Sequence, residues 1–323
     1  MSETAPLVSF VVLSYNYARY IGETIASILA QAGDYDFEII VVDDASTDNS
    51  HEVITSFQDK RLRYFRHERN RGHAATVTDG LLAARGQYIA RIDSDDRYRP
   101  TFLREVVPIL EAQPAVGLVY GDAAIIDDDG VLTAPTTDTQ HGQADFQGNE
   151  YVALLERNFI CAPTVIARRE AWLAALPIPE GLSFHDWWFT LQIARRWQLY
   201  YRNEVLADYR VHAANYHTLI ARNKSEEASI MRVLDGLFAA SELVPGLNDE
   251  KVRARNRIYA AHYLALAFKY FGAGMNADAR RCYLAAVRRR PAFLSKAAVV
   301  RQLLATFMGI ATYQRLKRVL QRG

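Results

Sequence analysis

Phe37-Glu38-Ile39-Ile40-Val41-Val42-Asp43-Asp44-Ala45-Ser46-Thr47-Asp48-Asn49 reads as three things in a row. Phe37–Val42 is a short apolar run with β-branched residues, too continuous for a strand with one wet face. It fits a strand covered on both sides, as parallel strands are. The acids and small residues that follow make a turn. Asp48 and Asn49 are cap residues for a helix reaching about Gln58. A buried strand, a turn rich in carboxylates and a helix together form the repeating unit of an open parallel sheet.

The same unit recurs on either side. Leu7–Ser14 is another continuous apolar run, followed by helical periodicity over Tyr20–Gln31. Downstream, Leu62–Arg66 alternates like a strand. His73–Ala84 reads as a helix ended near Gly86, Tyr88–Ile92 as a strand, Pro100–Gln113 as a helix and Val116–Tyr120 as a strand. The fold class is therefore α/β, a mostly parallel central sheet with helices on both faces. Alternation stops after Asp122. Asp127–Gly130 is a turn, and Thr133–Asn149 is a polar stretch without a period, long enough to be a binding segment or lid. Short strands and helices resume over Tyr151–Arg210. Helices are expected at Ser225–Leu243, Lys251–Phe271 and Asn276–Arg289, with two apolar-basic helices after Pro291. Tyr263–Pro291 resembles one tetratricopeptide helix pair. A single such unit makes no array, so packing on the main domain is the preferred reading.

The 323 residues suffice for one large domain and an appendage, and their net charge of +1 conceals an asymmetry. From Lys251 onward there are 16 Lys and Arg against one acid, Asp278; the rest holds 22 basic and 36 acidic residues. Acidic body and basic tail imply different partners. Cys161 and Cys282 match no metal spacing and read as free thiols of a reducing compartment. The N-terminus has no basic region ahead of an apolar one, and no run of 18 apolar residues occurs. A cytoplasmic location is expected.

Ligands of open parallel sheets bind beyond the carboxyl ends of the strands. Ser14-Tyr15-Asn16-Tyr17 follows the first strand, with neither a GxGxxG nor a P-loop pattern. Asp43 and Asp44 follow the second; one acid there is usually a helix cap, and Asp48 fills that role. A carboxylate at this point can accept the imide N–H of uracil or thymine. Asp93-Ser94-Asp95-Asp96 follows Tyr88–Ile92. Three acids in four residues repel one another unless a cation sits among them, and their oxygens suit Mg²⁺ or Mn²⁺ rather than zinc. The bland alternative is a solvated acidic turn.

Ser14-Tyr15-Asn16, Val42 through Asp48, Asn70-Arg71-Gly72 and Asp93-Ser94-Asp95-Asp96, in this order and spacing, resemble the family 2 glycosyltransferases of GT-A fold, over roughly residues 7–215. The resemblance implies a catalytic domain at 1–220, with a nucleotide-binding half to about 122 and an acceptor half to 220. A basic helical region at 221–323 would follow. It implies that Tyr15 and Asp44 contact the base, with Asp43 beside them, and that Arg71 and Gly72 pass the nucleoside. Asp93, Ser94 and Asp95 match the DxD motif: Asp95 holds the metal, and Asp93 lies near ribose and metal. Asp186, in Phe184-His185-Asp186-Trp187-Trp188, matches the catalytic base, although His185 stands where Glu is common. In Tyr209-Arg210-Val211-His212, the His matches a metal or diphosphate ligand. A nucleotide-sugar donor, UDP- or dTDP-linked, and a glycan or lipid-linked acceptor are the implied partners. The His-Asp-Trp-Trp segment is similar to rhamnosyltransferases of bacterial surface polysaccharides, which keeps dTDP-rhamnose beside UDP-hexoses. Nucleic acid is not among the expected partners.

The chemistry agrees with the resemblance. A base for the acceptor hydroxyl and a cation for the departing diphosphate suffice for displacement at an anomeric carbon, with inversion in one step. Asp186 also reads as a helix N-cap, and Trp187 and Trp188 as core or as a sugar-stacking surface. A nucleotidyltransferase would need a Gly-rich loop, which Ser14–Tyr20 lacks, and a non-catalytic binding module would not need Asp186. The segment Phe293–Arg322 places Leu303, Leu304, Phe307, Met308, Ile310 and Leu316 among Arg301, Arg315, Lys317, Arg318 and Arg322. Two readings suit that face about equally: an interfacial helix on an anionic membrane surface, or an amphipathic helix docked on the body or on a second subunit of a homodimer.

Overall fold

The computed structural model describes residues 5–137, 140–212 and 224–308. The domain boundary expected at 220, and Ile310, Arg315, Leu316, Lys317, Arg318 and Arg322 of the tail, lie outside them. The chain divides into two compact units. The first comprises Met1–Glu150, Phe159–Glu180 and His185–Ala213; the second comprises Tyr151–Asn158, Gly181–Phe184 and Ala214–Gly323.

In the first unit, β1 (Val8–Ser14), β2 (Phe37–Asp43), β3 (Leu62–Arg66) and β4 (Tyr88–Asp93) pair in parallel in the order β3-β2-β1-β4. Every residue of β1 and β2 is buried, as their unbroken apolar runs require. Helices α1 (Ile21–Leu29), α2 (Ser50–Thr55), α3 (His73–Ala83) and α4 (Phe102–Ala112) are the crossovers. Beyond β4 come β9 (Ile166–Arg168), antiparallel to both neighbours, then β6 (Val116–Ile126), β10 (Gln198–Arg210) and the short β5 (Arg97–Tyr98). β6 and β10 pair in parallel, so all the long strands run one way. Ser14 lies beside Asp43 and Leu13 beside Asp93, which lines up three strand ends at one edge. This is a GT-A architecture, with the α/β class expected from the sequence.

Three details differ from the sequence reading. β6 continues six residues past Tyr120, because β10 pairs with it to Ile126. Register shifts in β10 press the backbone at Arg202 and Glu204 against Gly121, where a Cβ would come within 2.8 Å of both carbonyls. The Thr133–Asn149 stretch is not structureless: β7 (Leu132–Ala134) pairs with β6, and β8 (Phe146–Gly148) with β10. At α2 the residue just before the helix, Asn49, makes no side-chain cap; Asp48 accepts from the Ser50 N–H at 3.0 Å instead. α5 (Tyr151–Glu156) and α6 (Arg169–Leu173) precede α7 (Asp186–Ala194).

Among the described residues, the second unit contains α5 and four further α-helices: α8 (Ser225–Ala239), α9 (Leu247–Gly272), α10 (Asn276–Arg289) and α11 (Ala297–Met308). α9 and α10 form the expected helix pair, and α9 also packs on α5, where His262 meets the Leu155 carbonyl at 2.7 Å. Buried Lys251 closes the end of α8, donating to Leu237 O and Ala240 O and pairing with Glu242. No helix among the described residues is long and apolar enough to cross a membrane.

Candidate active site

The turn after β2 is built on its two acids. Asp43 is wholly buried and accepts from Ser46 N–H at 3.0 Å, from the Ser46 hydroxyl and from Tyr64 O–H at 2.9 Å. It is thereby a brace for the turn. Asp44, also buried, accepts the backbone N–H groups of Arg71 at 2.7 Å and Gly72 at 2.8 Å, with His67 Nδ1 at 2.7 Å. Its carboxylate therefore fixes Arg71-Gly72, the segment expected along the nucleoside. Gly72 precedes α3 with φ of 83°, a left-handed conformation that suits glycine. Asn16 and Ala45 take similar positive φ values, and Asn16 Oδ1 ties the two loops together by accepting Thr47 N–H at 2.7 Å. Tyr15, in the loop after β1, is 44% exposed.

The acids after β4 point three ways. Asp93 faces Arg91 NH2 at 3.3 Å and His73 Nε2 at 3.4 Å. Burial raises its pKa, but Arg91, His73 and His185 outweigh burial and hold it below the usual carboxylate range. Asp95 meets His212 Nε2 at 3.1 Å. Asp96 accepts Arg210 N–H at 2.8 Å. Burial first, then the neighbouring carboxylate charge, pushes Asp95 up and Asp96 well above the ordinary value. Of the expected metal ligands the structure thus brings Asp95 and His212 together and turns Asp93 toward Arg91 and His73.

The donor set fits a hard divalent cation. Asp95 is a buried carboxylate that its surroundings leave short of positive charge, with an imidazole against it. Among the described residues no three His, Cys, Asp or Glu side chains form a group that could hold a metal ion; of the expected ligands, the two that lie together are Asp95 and His212. That is the usual share for Mg²⁺ or Mn²⁺, whose other ligands are substrate phosphate oxygens and water. Polar atoms at the same strand ends also lack partners among the described residues: Ser14 Oγ, Ser94 Oγ and Arg91 NH1. Buried donors left this way are unusual unless a ligand or water meets them.

Asp186 is the first residue of α7, with His185 rather than Asp186 at the cap position. Its charge acts with those of Asp96 and Asp122 on the thiol of half-buried Cys161, which burial first and then these charges push well up. Both cysteines are free, as expected. Trp187 is buried and Trp188 donates to Ala175 O at 2.9 Å, so both belong to packing rather than to a sugar face.

Several site residues had no legible signal. Arg210, fully buried, donates from Nε to Asp95 O at 2.8 Å and from NH2 to Glu23 at 2.6 Å, binding the acidic turn to α1. The Tyr17 ring lies 5.7 Å from that of His212; burial and the charges of Asp95, Asp93 and Asp96 keep its phenol protonated. His73 hydrogen-bonds His185 across 112 residues of sequence.

Residues 9–176 match the family model described as glycosyl transferase family 2. The chain belongs to that family. An uncharacterised glycosyltransferase of Nostoc sp. is 32% identical over 68% of this chain and 69% of its own length. A Mycobacterium tuberculosis protein is 31% identical over 64% of this chain, but the match spans only 59% of its length. The succinoglycan biosynthesis protein ExoO of Rhizobium meliloti is 41% identical over 35% of this chain and 32% of its own. Among solved structures, S. aureus TarS 1–349 superposes with a TM-score of 0.60 at 16% identity, covering 93% of this chain and 89% of TarS. The Pyrobaculum calidifontis mannosyltransferase PcManGT, bound to GDP-Man and Mn²⁺, gives 0.61 at 19% identity over 97% and 83%. This glycosyltransferase shares their fold.

Proposed function

We propose that the enzyme transfers a sugar, with inversion, from a UDP- or dTDP-linked donor to an acceptor hydroxyl in surface polysaccharide or glycolipid assembly. The observation that carries this is the pairing of buried, charge-starved Asp95 with His212 at the strand ends. The ExoO likeness supports the pathway class, and TarS, also solved with UDP-GlcNAc, supports a uridine donor. In this reading Tyr15 stacks on the base while Asp44 shapes its pocket through Arg71 and Gly72. Among the described residues, Asp44 Oδ1 is taken by His67 and Arg71 and Oδ2 by Gly72, so in this reading a second lone pair of Oδ2 would accept a base imide. Asp95 and His212 would hold Mn²⁺ or Mg²⁺, which supplies Lewis-acid stabilisation of the leaving diphosphate when bound. Asp93 and Ser94 face the ribose side. The acceptor oxygen bonds to the anomeric carbon as the bond to diphosphate oxygen breaks. The electron pair departs on the diphosphate, and the hydroxyl proton passes to Asp186.

A screen of UDP-glucose, UDP-GlcNAc, dTDP-rhamnose and GDP-mannose, by thermal shift and by slow hydrolysis, tests the reading. A uridine or thymidine donor that stabilises the fold and turns over only with Mn²⁺ or Mg²⁺ is expected, with product of opposite anomeric configuration by NMR. Retention, or full turnover in chelator, overturns it.

The second unit bears on location, which we read as cytoplasmic and peripheral on the membrane. Leu284, Leu294, Leu304 and Phe307 are each more than half exposed. Arg288, Arg290, Lys296 and Arg301 are exposed with them, and no acid follows Asp278. An apolar face ringed by cations fits an anionic lipid surface, at about 1 kcal/mol per basic residue. Such attachment would bring the enzyme to a lipid-linked acceptor. Co-sedimentation with phosphatidylglycerol vesicles at low salt, lost at high salt, is expected. A soluble dimer that ignores vesicles assigns the face to a second subunit.

A further inference from the structure

His73 and His185 are 112 residues apart, yet their Nδ1 atoms lie 2.8 Å apart. The ring planes are nearly parallel, at 9°, with centroids 4.9 Å apart. At that distance one nitrogen donates and the other accepts. His73 Nε2 faces Asp93 Oδ1 at 3.4 Å, a long contact that a carboxylate can only accept. With the Nε2–H of His73 committed there, its Nδ1 is a lone pair, and His185 Nδ1–H is the donor.

The two residues occupy distinctive places. His73 opens α3 directly after Gly72, whose N–H is fixed by Asp44. His185 directly precedes Asp186, the first residue of α7. Its ring makes no helix-capping hydrogen bond, although it sits at the cap position, and it is only 6% exposed. A buried polar ring that leaves its own helix end and reaches another helix start is doing so for what that contact fixes. The path runs from Asp44 through Gly72 and His73 to His185 and Asp186, each link one hydrogen bond or one peptide unit. A carboxylate at position 185 would add a negative charge beside Asp93, whereas an imidazole spans the gap without that repulsion. As its Nδ1 is engaged and its ring buried, His185 is not placed to take a proton from an acceptor.

We infer that His185, hydrogen-bonded to His73, is a positioning residue that sets the Asp186 carboxylate against the donor pocket. The inference rests on Asp186 being the base. Its consequence is specific: loosening the pair should misplace the base while leaving nucleotide contacts alone, and misplacement of this kind lowers turnover by about tenfold to a hundredfold.

The experiment uses the full chain, the donor found in the screen and its nucleoside diphosphate. His185→Ala should lower kcat by that factor with the Kd for the nucleoside diphosphate unchanged. His185→Gln, whose amide can still donate to His73, should restore most of it. His73→Ala should give the same loss, and the double variant should add nothing further. His73 is about half exposed, so it decides the matter if His185→Ala fails to fold. Unchanged kcat in both single variants overturns the inference, as does a parallel rise in Kd. Asp186→Asn separates the two levels: if it keeps full turnover, the assignment of the base fails. If it is inactive while both histidine variants are normal, only the positioning role fails.

Discussion

Glu38 and Asp95 are both buried carboxylates of one sheet region, at opposite ends of its parallel strands, and the chain treats them in opposite ways. Glu38 accepts from Ser9 O–H at 2.7 Å, Arg85 N–H at 2.8 Å, Arg63 NH1 at 2.7 Å and Arg85 Nε at 3.0 Å. Burial raises its pKa, but these donors together hold it below the ordinary value. Asp95 has His212 and repulsive neighbours, and its pKa is raised. A scaffold carboxylate is thus matched with cations from the chain itself. In the proposed reading, a carboxylate that awaits a ligand is left short of them, at a cost in stability that binding would relieve.

The strongest way to break this contrast is Asp95→Asn. Turnover with Mn²⁺ should fall to background, while the melting temperature without metal holds or rises because a repulsive charge is gone. A stability loss with activity retained would make Asp95 scaffold after all. Next is Asp186→Asn, which should leave donor affinity nearly intact and lower turnover by about a hundredfold to ten-thousandfold, the worth of a general base. Steady-state kinetics beside calorimetric UDP binding measures both.

Asp44 stands between the two types, since the chain engages both of its oxygens and, in the proposed reading, it also shapes the pocket. Asp44→Asn can no longer accept from both sides, so Arg71-Gly72 should loosen. Nucleotide affinity should weaken by about 1.5–3 kcal/mol, more than the chemical step slows. An unchanged dissociation constant would remove it from the binding site. Glu38→Gln should do the reverse, costing about 1–3 kcal/mol of stability with activity per folded molecule unchanged. Its pH dependence has a definite sign. With a folded pKa below the unfolded one, Glu38 contributes fully above the ordinary value near 4.5 and loses that contribution as pH falls through its folded value. The gap in melting temperature between wild type and Glu38→Gln should therefore be full at neutral pH and close in acid.

The contrast also explains what the sequence could tell. The strands and their terminal acids were legible because strands covered on both faces are apolar throughout, and an acid after such a run interrupts it. Asp43, Asp44 and Asp93 through Asp96 were found in this way. What the acids bind was not legible, because their partners are distant: Asp44 meets residues 27 and 28 positions on, and Arg210 reaches back 187 to Glu23. β8 was missed for the same reason, since its Gly148 pairs with Leu199 and carries no periodicity of its own. The second half of β6 contains Gly121-Asp122-Ala123-Ala124, poor in strand formers, and is held in place by β10.

The finest test of the contrast uses two serines. Ser9, near the Glu38 end, donates to Glu38 and accepts Gly86 N–H at 2.8 Å. Ser94, among the acids, is fully buried, and its Oγ has no partner among the described residues. Ser9→Ala strips two buried groups of a partner and should lower stability by about 1–3 kcal/mol without touching nucleotide binding. Ser94→Ala removes a hydroxyl with no partner among the described residues, so the melting temperature should stay or rise slightly. If the hydroxyl awaits the donor, affinity for the nucleoside diphosphate should fall by about 0.5–1.5 kcal/mol, the net value of one neutral hydrogen bond. Thermal melts with and without UDP and Mn²⁺ read both quantities from one sample. A Ser94→Ala enzyme that binds UDP like wild type would show that this orphan atom is a packing residue, and the scaffold-versus-ligand division would then apply to the carboxylates alone.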